Sequence, residues 1–146
     1  LMRLDFSRKH LFSYLERNRK YLLHFPLFIY WIVLFILTSL PSGMAITTDV
    51  SDKINHFGAY GLLSVFLYST LYFQNKFSIL KKYPALFTVV IASVYGALDE
   101  IHQMYVPGRS AEFLDWIADF TGSIVAVLIT RYLLEHIKKL EFEKSN

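Results

Sequence analysis

The sequence predicts an all-α integral membrane protein, a four-helix bundle with both termini on the cytoplasmic side. Three observations predict it. Apolar residues make up 54% of the 146 and charged residues only 18%, against about 25% charged in an average soluble domain. The apolar residues gather into four blocks, with most of the charges between them. Thirteen of the fifteen Lys and Arg fall in segments that four crossings would place on one face.

The organisation follows from those blocks. Residues 1–21 form a basic segment in which Arg3, Arg8, Lys9, Arg17, Arg19 and Lys20 alternate with Leu4, Phe6, Leu11, Phe12 and Leu15. That pattern suits an interfacial amphipathic helix on an anionic membrane face or a solvated tail that sets topology. Residues 22–134 form the membrane domain and residues 135–146 a charged cytoplasmic tail.

The first block, Leu22 to Leu40, has only His24 as an ionisable residue. Nineteen helical residues rise ~29 Å, close to the hydrocarbon thickness. Pro26 falls in its first turns, where a missing N–H is tolerated, and Pro41 stops it. Gly43, Met44 and Ala45 after it resemble a signal-peptidase site. A signal h-region is usually ~7–15 residues, however, so the block reads as a retained helix.

The second block, Ile54–Phe73, carries Gly58, Ala59, Gly61 and Ser64, small residues that let another helix approach. The third runs from Pro84 to Gln103 and the fourth from Phe113 to Leu134. Orientation comes from Lys and Arg, which concentrate on the cytoplasmic side of membrane proteins. The loops 41–53 and 104–112 carry only Lys53 and Arg109 and are therefore expected to be extracytoplasmic.

The extracytoplasmic ends of the blocks are rich in acids. Asp49, Asp52, Asp99, Glu100, Glu112, Asp115 and Asp119 are seven of the chain's twelve acidic residues. Even on the gentlest insertion scale, a carboxylate at membrane depth costs at least ~2.5 kcal/mol, so several at one level need partners or a wet cavity. Asp52 and His56, Asp99 and Gln103, and Asp115 and Asp119 are each four residues apart, with His102 three beyond Asp99. Each pair shares one helix face, and three such faces can converge. Arg109 has the reach to pair with these acids, and its guanidinium suits bidentate grip of a phosphate or carboxylate.

A solvated, interfacial role fits Asp49, Glu112 and Asp52. It fits Asp99, Asp115 and Asp119 less well, because they lie in apolar stretches. His10, His24 and His136 read as incidental. Tyr30, Trp31, Tyr72, Tyr105 and Trp116 read as packing or interface anchors. With no cysteine, disulfides, thiol nucleophiles and thiolate metal sites are excluded. The net charge of +3 is modest, and no nucleic-acid partner is expected.

The ordered set Asp52, Lys53, His56 and Tyr60, then Asp99, Glu100, His102 and Gln103, then Pro107, Gly108 and Arg109, then Asp115, Asp119 and Gly122 resembles the VanZ-like family of bacterial membrane proteins. Many members carry Asn where this chain has Asp119. The family's name-giving member is associated with resistance to teicoplanin, a lipid-bearing glycopeptide antibiotic. The resemblance implies a multi-pass protein of the bacterial inner membrane with a role in the cell envelope.

Three functions are open. In the first, an enzyme acts on a lipid-linked or cell-wall substrate: Asp99, Glu100, Asp115 or Asp119 supplies acid–base chemistry with His56 or His102. Arg109 and Lys53, with Gln103, Tyr60 and Asp52 around them, hold an anionic group. Two His and several carboxylates can also take a divalent metal, although no metal-ligand spacing such as HExxH is present. In the second, the same pocket binds an anionic lipid headgroup, a lipid-linked cell-wall precursor or a lipoglycopeptide without turnover. In the third, the protein is a small transporter, a reading weakened by the absence of acids from the inner halves of the helices.

Overall fold

The computed structural model describes residues 11–42 and 49–143, with the side chains of 49–51 and 141–143 left out of the account. The described residues are helical, without strands. They form α1 (Leu11–Arg17), a π-helical turn (Lys20–His24), α2 (Phe25–Thr38), α3 (Asp49–Phe73), α4 (Ser78–Lys82), α5 (Pro84–Gln103) and α6 (Phe113–Glu143). Residues 1–10 of the basic segment and the small residues Gly43 to Ala45 lie outside the described residues.

Among the described residues, three helical stretches are long and apolar enough to cross a membrane: Lys20–Thr38, Pro84–Gln103 and Phe113–Leu140. These three suggest a membrane protein. The fourth predicted crossing, α3, has the length, but its first turns hold Asp52, Lys53, Asn55 and His56. Its apolar stretch is interrupted by Ser64, Ser69 and Thr70.

Two boundaries differ from the sequence reading. The first membrane stretch starts earlier, because the π-helical turn carries the helix smoothly into α2. Pro26 sits in the first turn of α2, directly after the π-helical turn, where it cannot donate an N–H back to the preceding turn. At the far end α6 continues through the charged residues to Glu143. Glu and Lys are good helix formers, and Arg131 Nε bonds Glu135 Oε1 at 2.8 Å one turn on. Residues 135–143 of the predicted tail are therefore an extension of the helix.

The helices turn their large apolar residues outward. On α5, Leu86, Val90, Val94, Leu98 and Ile101 are exposed, while Thr88, Ala92, Gly96, Asp99 and Gln103 are buried. A soluble helix does the opposite. Outward Leu and Val cost nothing in lipid, and inward small and polar residues allow close packing.

α3 packs most extensively on α6, and α5 packs against both. Gly122 on α6 permits the α3–α6 approach, because any Cβ there would collide with the Phe57 carbonyl. Gly61 faces Gly122 and Ala126, and Ser64 Oγ donates to Ser123 Oγ at 2.8 Å. Of the small residues of the second block, Gly61 and Ser64 thus form the seam, while Ala59 faces α2 and Gly58 faces open space. α2 leans on α3 through Leu27, Leu34 and the Tyr30 hydroxyl, which donates to the Ala59 carbonyl at 2.9 Å.

Candidate functional site

The site forms where the N-terminal turns of α3 and α6 meet the last turns of α5. Polar residues at four-residue spacing on each helix share one face, and the α3–α6 seam brings two of these faces together. His56 is 7% exposed, Asp99 5%, Glu100 6%, Gln103 3%, Asp115 3% and Asp119 0%. Tyr60 is buried one turn below His56. Gly96 makes room on α5: a Cβ there would stand 2.9 Å from Asp119 Oδ2.

At the centre, His56 Nδ1 lies 2.9 Å from Asp119 Oδ1 and 4.0 Å from Glu100 Oε1. Glu100 Oε2 accepts the backbone N–H of Glu112 at 2.8 Å, which ties α5 to the start of α6. Glu100 Oε1, Asp119 Oδ2 and Gln103 Nε2 are buried without a hydrogen-bond partner. Lys53 sits above the cluster with its ammonium 3.0 Å from Glu112 Oε2 and 3.1 Å from Asp115 Oδ1. Its hydrogen bond to Glu112, then that to Asp115, hold it protonated well above the ordinary lysine range.

Arg109 is placed differently from the expectation that it would pair with the acids. Its Nε donates to the Leu40 carbonyl at 2.9 Å, and its terminal nitrogens lie 3.4 Å from Gln103 Oε1 and from the Leu37 carbonyl. The cause is the loop that carries it. Gly108 takes a φ of 75°, which favours glycine, and lies against Ser42, so the chain turns toward the end of α2. Among the described residues, Arg109 forms no ion pair, and its positive charge is held by neutral carbonyls.

Below Arg109 a cavity of about 390 Å³ opens between α2 and α3. Its lining is mixed: Arg109, Asp52, Asn55, His56, Tyr60, Asp99 and Thr38 are polar, and Leu34, Leu37, Leu40 and Ala59 apolar.

The structure therefore brings together ten of the eleven candidate residues, with Asp52 and Arg109 at the cavity and Lys53 over the cluster. His102 lies elsewhere: it turns toward α2, where Nε2 is 2.9 Å from Ser39 Oγ and its ring meets Phe35. Helical geometry explains this, since position 102 falls about 60° from Asp99 and about 100° from Gln103 around the helix. Sequence reasoning missed Asn55 and Thr38 as cavity residues, and it missed the α2 carbonyls that hold Arg109. Asn55 adjoins His56 in a polar turn and offered a signal; a backbone carbonyl offers none. Trp116, expected from the sequence to be a packing or interface anchor, donates its indole N–H to the Ser93 carbonyl at 3.0 Å and pins α6 to α5.

Comparison with known proteins adds a family. Residues 4–135 match VanZ/LLP1. An uncharacterized protein of the fission yeast Schizosaccharomyces pombe is 28% identical over 114 residues, which is 77% of this chain and 65% of the relative. The chain thus spans about 65% of the length of that relative. No solved structure matches.

Proposed function

The chain belongs to the VanZ/LLP1 family, and we propose that it binds the anionic headgroup of a lipid-linked or cell-wall substrate in the cavity beneath Arg109. The observation that carries this reading is the mixed lining of the cavity. Arg109, which has no carboxylate partner among the described residues, is held at it by the Leu37 and Leu40 carbonyls, and the side chains of Leu34, Leu37 and Leu40 supply apolar lining. A phosphate or carboxylate on an apolar chain matches both kinds of lining, because Arg grips such groups in two places and the tail lies along leucines.

The same proposal makes α3 a fourth crossing, so that both termini are cytoplasmic and the site opens toward the outer leaflet of a bacterial inner membrane. Lys and Arg distribution supports that orientation. The role belongs to the cell envelope, and expression would alter susceptibility to a lipid-bearing glycopeptide such as teicoplanin. Turnover is the second reading. It is favoured by His56 paired with Asp119 beside the cavity, the arrangement of an oriented base.

The test is binding of a polyprenyl phosphate, with the uncharged polyprenol as control, to delipidated full-length protein by native mass spectrometry. The phosphate should bind at least about tenfold more tightly than the alcohol, and Arg109→Ala should erase that preference. One charge-assisted contact is worth ~1.5–3 kcal/mol, which is tenfold or more. Equal affinity for the two lipids, or an unchanged preference in Arg109→Ala, would sink the reading.

A further inference from the structure

We propose that His56, Glu100 and Asp119 form a binding site for one divalent cation of the Zn²⁺ or Mn²⁺ type. The inference rests on the reading of this cluster as the polar end of a ligand site, and it adds the ion that such a site would hold.

Geometry is the first argument. One ligand atom from each residue, His56 Nδ1 and a carboxylate oxygen of Glu100 and of Asp119, can be chosen so that all lie within 4.8 Å of one another. Two of these separations are 2.9 Å and 4.0 Å. Ligands held ~2.0–2.2 Å from a common ion stand ~3–4 Å apart, and these two separations fall at that spacing. The residues come from three different helices, and each is buried. A further grouping, Asp52 with His56 and Asp115, lies beside it and shares the same imidazole.

The second argument is the unmet oxygen. Glu100 Oε1 is buried, has no hydrogen-bond partner, and is directed at the same imidazole nitrogen as Asp119 Oδ1. One Nδ1–H satisfies one acceptor, and the 4.0 Å separation is too long for the second. Asp119 Oδ2 is likewise buried without a partner. A buried carboxylate oxygen left unpaired costs more than a neutral one, and an ion between the three groups would meet all of them at once.

Charge is the third. Asp99, Glu100, Asp115 and Asp119 are all buried here. Lys53, the cation nearest them, is taken up by Asp115 and Glu112, and Arg109 points to carbonyls. His56 can supply at most one positive charge. A divalent ion would halve the charge of the four buried carboxylates, since Lys53 is offset by Glu112, in a region that solvent screens little. One imidazole with two carboxylates suits Zn²⁺ or Mn²⁺ better than a purely oxygen-seeking cation. The Glu112 N–H to Glu100 Oε2 bond would hold the first carboxylate in place, as outer partners do for metal ligands.

The site adjoins the cavity through His56, which belongs to both. A bound ion would thus lie at the edge of the cavity that Arg109 also lines. A phosphate there would meet a metal on one side and a guanidinium on the other.

The experiment uses tag-free full-length protein in detergent, stripped with chelator and titrated with ZnCl₂ or MnCl₂ alone. Binding is read by calorimetry, by thermal shift and, for Mn²⁺, by loss of the free-ion paramagnetic resonance signal. One ion per chain should bind and raise the melting temperature. Glu100→Gln and His56→Gln should each weaken binding by at least the ~10–100-fold that loss of an outer partner costs a metal site. Arg109→Ala should keep the ion and lose only the polyprenyl phosphate, which separates this inference from the proposed function. Should His56→Gln fail to fold, Glu100→Gln decides alone. The proposal is overturned if stripped wild-type protein binds neither ion with one-to-one stoichiometry, or if Glu100→Gln binds as tightly as wild type.

Discussion

Two polar regions lie between α3 and α6, a few turns apart, and they are finished in opposite ways. At the lower one Ser64 and Ser123 face each other across the seam, each fully buried, joined by a 2.8 Å hydrogen bond. At the upper one His56 meets Asp119, but Glu100 Oε1 and Asp119 Oδ2 point into the protein with nothing to accept from. The buried glutamines repeat the contrast. Gln74 at the inner end donates to the Phe77 carbonyl and accepts from the N–H groups of Lys76 and Phe77, so its amide closes a turn. Gln103 at the outer end leaves its Nε2 unmet. Elsewhere buried polar atoms without partners occur singly, at Trp31, Thr70 and Thr88, whereas at the upper cluster several gather, and each unpaired group costs ~1–3 kcal/mol. Groups left unpaired together, in one place, are arranged for something that binds there.

The severest way to break this contrast is to separate the two helices. Gly122→Val should push α3 from α6, since its Cβ would overlap the Phe57 carbonyl next to His56. Overpacking costs ~1–3 kcal/mol, occasionally more, and backbone cannot rotate away as a side chain can. We expect a loss of about 3 kcal/mol in folding free energy, read by denaturant titration in mixed micelles, with loss of ligand binding as well. A variant of wild-type stability would mean that α3 and α6 do not approach as closely as described.

A smaller effect, of opposite sign, sharpens the comparison. Glu100→Gln removes one buried negative charge but keeps an acceptor for the Glu112 N–H and offers an amide toward Asp119. In chelator-stripped protein it should raise stability by about 1 kcal/mol or more, because a buried charge without adequate partners is often better replaced. A melting temperature that falls instead would show that the carboxylate is paired for folding, as the serines are.

Much of this was legible in the sequence, for definable reasons. The third block matched α5 from Pro84 to Gln103, because proline starts it and the polar run Asp99 to Gln103 marks its end. The convergence of His56, Asp99, Asp115 and Asp119 followed from four-residue spacing on helices that must hide charge from lipid. What the spacing could not fix was rotation and reach. His102 lies only three residues from Asp99, yet it turns to Ser39, and Arg109 follows a turn set by Gly108 rather than the pull of the acids. The second block, expected to be a crossing, is the one that is not among the three apolar spans of the described residues. α3 is long enough to cross, but its site residues lower its apolar character, so the feature that gives the helix chemistry also hides it as a span.

The weakest perturbation tests the folding side of the contrast most cleanly. Ser64→Ala deletes the donor to Ser123 and leaves the upper cluster untouched. In water a buried hydroxyl left alone would cost ~1–3 kcal/mol. Within a bilayer the measured average for interhelical hydrogen bonds is ~0.6 kcal/mol, because the separated helices find other partners. A cycle of Ser64→Ala, Ser123→Ala and the double variant should therefore give a coupling near 0.6 kcal/mol, with metal and lipid binding unchanged. The two single variants should cost the same as each other, since each strands the same kind of hydroxyl. If either serine variant instead weakens ligand binding tenfold, the two regions are energetically one, and the distinction between a finished seam and an unfinished site does not hold.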